Sequence, residues 1–220
     1  MTDFIRIIDC ETTGTTDDDQ VVEIGSVDLK DRELANAMST LVQPTIPIPP
    51  VACAVHHITD DMVAGAPSIE EAMAPYMDAR VFAAHNCAFD RRFLPFEGDW
   101  ICTYKAAMTV WPDAPEHKNQ VLRYWLGLPA LPDWVGINPH RALFDAWTTA
   151  MLLQRLLDQR SVEELVEISG KPLLLPFLRF GKHANVPMRE VPKDYLEWIL
   201  REDFDEDVMH TARHWVDRVG

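Results

Sequence analysis

Residues 4–14 read Phe4-Ile5-Arg6-Ile7-Ile8-Asp9-Cys10-Glu11-Thr12-Thr13-Gly14. The isoleucine-rich first half predicts a β-strand, and two carboxylates follow one residue apart at its end. Strand side chains alternate between two faces, so Asp9 and Glu11 project from one face and Cys10 from the other. Two carboxylates this close repel each other unless a cation lies between them. The segment predicts a divalent-metal site or, as the simpler structural alternative, an edge strand with a solvated acidic end.

The composition predicts a soluble globular protein. The chain has 220 residues, 47% hydrophobic and 25% charged, which suffices for one large domain or a domain with a small appendage. No stretch reaches the ~20 apolar residues of a membrane helix, and the N-terminus lacks a signal-peptide layout. The four cysteines form no Cys-x-x-Cys pair. This pattern predicts reduced thiols, a cytoplasmic location and no structural zinc.

The formal net charge of −15 opposes binding to nucleic acids, because phosphate contacts supply most of the non-specific affinity. Two bound divalent ions would still leave the molecule acidic, and the sequence contains no extended basic stripe. We therefore expect any contact with a nucleic acid to be local, short and assisted by metal ions.

The order of the predicted elements indicates an α/β domain with a mixed sheet flanked by helices. Strands are predicted at residues 4–11, 21–29, 33–42, 80–84 and 99–102. Short turns join the first three into an antiparallel meander, and a long helix is predicted from Arg141 to about Leu157. Thr59 and Ser68 are predicted N-caps of short helices. We expect a domain over residues 1–165 and a small C-terminal accessory module over residues 170–220.

Two further acids and one histidine lie at helix starts. Asp90 follows a buried strand, and Asp145 lies among apolar and small residues, where an unpaired carboxylate is unfavourable unless it meets a cation. His140 follows a proline, and a histidine accepts a proton near neutrality, as a general base must. Each also has a structural explanation: helix-start or buried polar roles for the acids, and N-terminal capping for His140.

Three segments form a known pattern when they are taken together. They are Asp9-Cys10-Glu11, His85-Asn86-Cys87-Ala88-Phe89-Asp90 and His140-Arg141-Ala142-Leu143-Phe144-Asp145. They resemble the three exonuclease motifs of the DEDD superfamily, and the His-x4-Asp spacing of the third is typical of its histidine branch. A closer resemblance, to exodeoxyribonucleases of that branch, is carried by Val55-His56-His57-Ile58-Thr59, Trp100-Ile101-Cys102-Thr103, Phe180-Gly181-Lys182 and Tyr195-Leu196-Glu197-Trp198.

The resemblance implies a ribonuclease H-like mixed five-stranded sheet and the removal of nucleotides from a 3′ end of single-stranded or duplex DNA. It implies that Asp9, Glu11, Asp90 and Asp145 hold two divalent ions, Mg²⁺ or Mn²⁺, with His140 as general base. Nucleic-acid contacts are expected at Thr12, Thr13, Gly14, Thr15, Thr16, His56 and Lys182.

Three alternatives concern the activity. The chain could be an exoribonuclease that trims short RNA or tRNA ends, a polymerase proofreading subunit, or a catalytically inactive binding module. The tail resemblance opposes the first, and the C-terminus does not resemble a polymerase-binding tail. The full set of four acids and His140 opposes the third, because repelling acids without metals have no structural benefit. Many relatives are dimers, and no residue decides between monomer and homodimer. A role in DNA repair would rest on analogy alone.

Overall fold

The computed structural model describes residues 4–135 and 138–219, and the chain divides into two compact units, Met1–Ser169 and Gly170–Gly220. The first unit contains a five-stranded sheet. Its strands are β1 (Ile5–Thr12), β2 (Val21–Lys30), β3 (Glu33–Leu41), β4 (Val81–Ala84) and β5 (Asp99–Cys102). Within the described residues, no helix is long and apolar enough to cross a membrane.

Helices flank this sheet. Those of the first unit are α1 (Pro50–His56), α2 (Asp60–Val63), α3 (Ile69–Met73), α4 (Cys87–Phe93), α5 (Thr103–Val110), α6 (Asn119–Trp125), α7 (Ala142–Leu156) and α8 (Val162–Ser169). Ser68 caps α3 as predicted, in a reciprocal capping box with Glu71. Thr59 occupies the N-cap position of α2 as predicted, although its hydroxyl makes no capping hydrogen bond.

The strand order is β3-β2-β1-β4-β5. Strand β1 pairs antiparallel with β2 and parallel with β4, and β2 pairs antiparallel with β3. Because β1 is central, both of its faces are covered, and Ile7 and Ile8 are fully buried on opposite faces. The predicted mixed five-stranded sheet is confirmed, including the meander of the first three strands.

Helix α7 packs directly on β1 and β2. Gly25 of β2 permits this close approach, because a Cβ atom there would lie 2.2 Å from the backbone nitrogen of Leu143 and 2.3 Å from the carbonyl carbon of Ala142. The packing matters for function, since it brings the start of α7, and with it Asp145, to the end of β1 that carries Asp9 and Glu11.

A buried ion pair lies between β1 and β2, towards the other end of the two strands. The Arg6 guanidinium donates to both carboxylate oxygens of Asp28, at 2.8 Å and 3.0 Å, and both residues are buried. Arg6 also donates to the carboxylate of Asp78 and to the carbonyl of Pro75. The isoleucine-rich sequence around Arg6 predicts a strand but not this pair.

The described residues of the second unit include the helices α9 (Lys193–Ile199) and α10 (Glu206–Val216). An isolated antiparallel bridge joins Phe177 to Pro187. Aromatic rings of this unit pack together: Phe180 stacks on Phe204 with centroids 4.5 Å apart, and Trp198 contacts both Phe204 and Tyr195. These aromatic side chains therefore contribute to the packing of this unit.

Candidate metal and catalytic site

Three predicted acids meet at the carboxyl end of β1. Asp9 and Glu11 project from the same face of the strand, and Asp145 comes from the first turn of α7. Each offers a carboxylate oxygen, and these oxygens all lie within 4.8 Å of one another. Three carboxylates converging at this distance form the oxygen-rich donor set that hard divalent cations prefer. The acidic cluster is therefore consistent with the metal site of a DEDD exonuclease.

Burial and mutual repulsion raise the pKa values of these acids. Desolvation raises the pKa of Asp9 well above its ordinary range, and the charges of Asp90 and Asp145 add to the effect. Desolvation together with the neighbouring carboxylates raises the pKa of Glu11 from 4.5 to about 8. Burial also raises the pKa of Asp145. Such shifts mark a place where negative charge is unfavourable without a cation, as is common at functional sites.

Asp90 lies beside this group without joining its closest oxygens. The residue is 2% exposed, in α4, and its Oδ1 accepts a hydrogen bond from the backbone N–H of Cys10 at 3.2 Å. Burial raises its pKa to about 7, and the hydrogen bonds from Cys10 oppose that rise. The hydrogen bond from the Cys10 N–H orients the Asp90 carboxylate, and its charge still acts on Asp9.

His140 lies in the turn immediately before α7. Its backbone has φ = 63°, and its N–H donates to Oδ2 of Asp145 at 2.8 Å. A positive φ is uncommon for a residue other than glycine, so this turn is held by its surroundings. The His140 side chain is exposed, next to Asp145 of the acidic cluster. Asp145, a candidate metal ligand, thus forms a hydrogen bond with the backbone of His140, the candidate base.

Sequence reasoning missed the ion pair that supports this turn. Glu23 of β2 is 1% exposed and lies directly opposite Glu11 in the β1–β2 register. Its carboxylate binds the Arg141 guanidinium through two hydrogen bonds of 2.6 Å and 2.9 Å. The local signals are an acid next to the apolar residues Val22 and Ile24 and an arginine next to His140, and neither indicates its partner.

The loop after β1 is organised by Asp19, which sequence reasoning also missed. Its carboxylate accepts hydrogen bonds from the Thr13 hydroxyl and from the Thr16 N–H and hydroxyl, each at 2.8 Å. These bonds lower the pKa of Asp19, with those from Thr16 contributing most. The Thr12 hydroxyl donates to the Gly14 carbonyl at 2.5 Å. Of the predicted contacts in this loop, Thr15 and Thr16 are exposed, whereas Thr12 and Thr13 are buried.

The other two predicted contacts have different surroundings. His56 is 2% exposed; its Nδ1 accepts from the N–H of Ile58, and its Nε2 has no hydrogen-bond partner among the described residues. Burial lowers its pKa, although the nearby Thr12 carbonyl favours the protonated ring. Lys182 belongs to the second unit, where it is exposed and its ammonium lies 5.3 Å from the centre of the Tyr195 ring.

Comparison with known proteins identifies the family. The RNase_T family profile, described as Exonuclease, matches residues 7–153. The chain is also 36% identical over 224 aligned residues to Exodeoxyribonuclease 10 of Escherichia coli (strain K12), a match that covers 97% of this chain and 99% of that protein. The chain belongs to this exonuclease family. The resemblance predicted from the three motifs and the outlying segments is confirmed.

The chain is also similar to one solved exonuclease structure and to a polymerase subunit. A solved structure of exonuclease X in complex with 5′-overhanging duplex DNA has a TM-score of 0.70 and 41% identity, over 76% of this chain and 99% of that chain. DNA polymerase III subunit epsilon of Treponema pallidum (strain Nichols) is 31% identical over 156 residues, which cover 63% of this chain and 69% of that protein. The similarity to Exodeoxyribonuclease 10 thus covers a larger share of this chain than either of these two similarities.

Proposed function

We propose that this chain is a divalent-metal-dependent 3′-5′ exodeoxyribonuclease. The observation that carries the proposal is the convergence of Asp9, Glu11 and Asp145 in a chain that is similar to Exodeoxyribonuclease 10 over 97% of its length. A DNA substrate with a 3′ end is supported further by the solved exonuclease X structure, which holds duplex DNA. A polymerase proofreading subunit is the second candidate, because the subunit epsilon of Treponema pallidum shares 31% identity.

The donor set fits a hard cation, and we propose Mg²⁺ or Mn²⁺, with two ions per site. Asp9, Glu11, Asp145 and Asp90 would hold them, since carboxylate oxygens are the preferred ligands of both ions. When bound, such ions stabilise the negative charge that develops on the phosphodiester and on the departing oxygen. The raised pKa values of Glu11 and Asp90 support this assignment, because these groups ionise more readily beside a cation.

His140 is proposed as the general base. An imidazole nitrogen takes a proton from the water whose oxygen bonds to phosphorus. The bond from phosphorus to the 3′ oxygen of the preceding nucleotide breaks, and that oxygen takes up a proton from solvent. The products are a nucleoside 5′-monophosphate and a chain with a new 3′-hydroxyl. Asp145 supports the base by accepting the His140 N–H, which fixes the backbone from which the imidazole projects.

Substrate contacts complete the active-site proposal. The loop Thr12–Thr16 would hold the terminal nucleotide through its backbone, with Thr15 and Thr16 next to the base. His56 would support that loop, and Lys182 of the proposed accessory module, residues 170–220, would contact phosphate. We propose a cytoplasmic location, which the cysteine pattern of the sequence predicts. A homodimer, which the resemblance allows, is tested by light scattering on the intact chain.

The test uses 5′-labelled DNA and RNA oligonucleotides, single-stranded and duplex, with Mg²⁺ or EDTA. Wild type is compared with Asp9→Ala and His140→Ala, and with Glu33→Ala as a control that removes an exposed acid at the far end of the β2–β3 pair. We expect a Mg²⁺-dependent ladder shortened from the 3′ end of DNA, lost in Asp9→Ala, reduced to a slow residual rate in His140→Ala and kept in Glu33→Ala. Faster digestion of RNA would favour the exoribonuclease, and no digestion of any strand would refute the enzyme.

A further inference from the structure

The Glu23 carboxylate is saturated with hydrogen bonds. Its Oε1 accepts from the Arg141 Nη2 at 2.6 Å and from the Ser39 hydroxyl at 3.0 Å. Its Oε2 accepts from the Arg141 Nε at 2.9 Å and from the backbone N–H of Ala142 at 3.0 Å. A buried carboxylate with four donors has one orientation only, because any rotation breaks several bonds at once.

Three of these four hydrogen bonds come from the start of α7, two from the Arg141 guanidinium and one from the Ala142 N–H. Ala142 is the first residue of the helix, so its N–H has no partner within the helix. Arg141, at the N-cap position, makes no side-chain capping bond. Glu23 therefore performs the capping from a neighbouring strand, and its negative charge lies at the positive end of the helix. Gly25, two residues along β2, allows the helix start to rest on the strand.

The same contacts bear on His140, which precedes Arg141. Asp145 holds the N–H of His140 on one side, and Glu23 holds Arg141 and Ala142 on the other. The turn with φ = 63° is thereby anchored on both sides, and only the exposed imidazole is left to move. A displacement of about 1 Å in a reacting group can lower a rate on the order of a hundredfold.

We propose that Glu23 is a positioning residue for the exonuclease reaction, which holds the His140 turn through Arg141 and the Ala142 N–H and so sets the reach of the His140 imidazole. This inference rests on the proposed function, in which His140 is the base. Glu23 itself touches neither substrate nor water in this role. Its contribution to catalysis exists only while His140 is present.

The best variant is Glu23→Gln, which keeps the shape of the side chain and removes its charge. Arg141 keeps 31% exposure, so its guanidinium can be hydrated when the ion pair is lost. Removing Arg141 instead would leave Glu23 charged, buried and close to Glu11, which is more damaging to the fold. Ser39→Ala is a milder second variant, since it deletes one of the four hydrogen bonds.

A matched control is present on the same strand. Asp28 of β2 forms the other buried pair, with Arg6, five residues further along and away from the acidic cluster. Asp28→Asn likewise removes one carboxylate charge from a bidentate arginine pair in β2. It reproduces the loss of stability without touching the His140 turn, and therefore separates a structural role from a positioning role.

The kinetic test measures kcat, KM and the Mg²⁺ midpoint on 5′-labelled DNA. We expect Glu23→Gln to lower kcat on the order of ten- to a hundredfold, with KM and the Mg²⁺ midpoint changed by less than about threefold. In a His140→Ala background, Glu23→Gln should add no more than about a twofold loss. Asp28→Asn should keep kcat within about threefold. If the kcat of the double variant falls by the product of the two single losses, the proposal is overturned. Equal kcat losses in Glu23→Gln and Asp28→Asn would also overturn it.

Amide hydrogen exchange gives a readout that needs no activity. Glu23→Gln, and more weakly Ser39→Ala, should speed exchange at residues 140–143, whereas Asp28→Asn should leave these amides protected. Unchanged protection of the Ala142 N–H in Glu23→Gln would overturn the proposal even in an inactive protein. If wild type degrades no nucleic acid, the proposed function fails, whereas an active wild type with additive variants refutes the role of Glu23 alone.

Discussion

Replacing Asp9 with asparagine should make the metal-free protein more stable while it removes the stabilisation by Mg²⁺. Asp9 contributes one of three carboxylate oxygens that lie within 4.8 Å of one another. Asparagine keeps the shape of the side chain and removes one of the repelling charges. Most substitutions in a folded protein destabilise it, so a stabilising effect at this position would be diagnostic of charges gathered for a cation.

The size of the effect follows from the distance. Two unit charges 4.8 Å apart repel by about 3.5 kcal/mol at an effective dielectric constant of about 20. Proton uptake by the cluster already relieves part of this repulsion, so we expect a gain of about 2 kcal/mol from Asp9→Asn. For a domain of this size, that gain corresponds to a Tm about 4–8 °C higher in EDTA.

The pH dependence has a definite sign. Folding raises the pKa of Glu11 from 4.5 to about 8, chiefly through burial and with the neighbouring carboxylates adding to it. A carboxyl group whose pKa is raised by folding destabilises the native state above its unfolded pKa, and the penalty grows until the pH passes the folded value. The metal-free wild type should therefore lose stability between about pH 4.5 and about pH 8, and Mg²⁺ should stabilise it more near pH 8.5 than near pH 6.

The assay is thermal unfolding of wild type and Asp9→Asn in EDTA and in saturating Mg²⁺, at both pH values. Ion at about a hundredfold excess over its Kd should stabilise wild type by about 2.7 kcal/mol and the variant by much less. Asp28→Asn is the control, since it removes a paired carboxylate and should lower Tm equally with and without the ion. If Asp9→Asn is no more stable than wild type in EDTA near pH 8.5, repulsion between these carboxylates does not destabilise the metal-free protein.

Three other changes test the surroundings of the site. Gly25→Ala places a Cβ 2.2 Å from the Leu143 nitrogen, so it should destabilise the protein by roughly 1–3 kcal/mol or more in urea unfolding and displace α7. Burial lowers the pKa of His85 to about 4, so the free energy of unfolding should fall as the pH drops from about 6.5 towards 4. His85→Gln should reduce this pH dependence, which unfolding curves at pH 7 and 5 measure. Asp19→Ala removes the hydrogen bonds that hold Thr13 and Thr16, so the KM for DNA should rise several-fold with little change in Tm. An unchanged KM would contradict the proposed contact of this loop with DNA.

Much of the fold could be predicted from local pattern. The five strands and the long helix lie within a few residues of their predicted ranges, because each is set by hydrophobic runs and by turns that the sequence shows directly. The ion pair of Arg6 and Asp28 was not predictable in this way. An arginine inside an isoleucine-rich strand shows only that it needs a partner, and its partner lies 22 residues away.

The residues of the candidate site were likewise predicted in part. Residue types and spacing identified Asp9, Glu11 and Asp145, and the structure brings these three together. The role of Asp19 in ordering the loop after β1 was missed, because it depends on the backbone path of that loop. The support from Glu23 was missed as well, since it acts on a turn far along the chain.

The local sequence pattern is enough to place Asp9 and Glu11 on one face of a strand, because strand side chains alternate with a period of two. It also determined that Asp145 stands one turn into a helix that begins after His140. The convergence of these groups depends on tertiary packing, as does the ion pair of Glu23 with Arg141 across a separation of 118 residues. The physical reason is that distances between remote residues depend on how α7 packs against β2, and no local pattern encodes that packing.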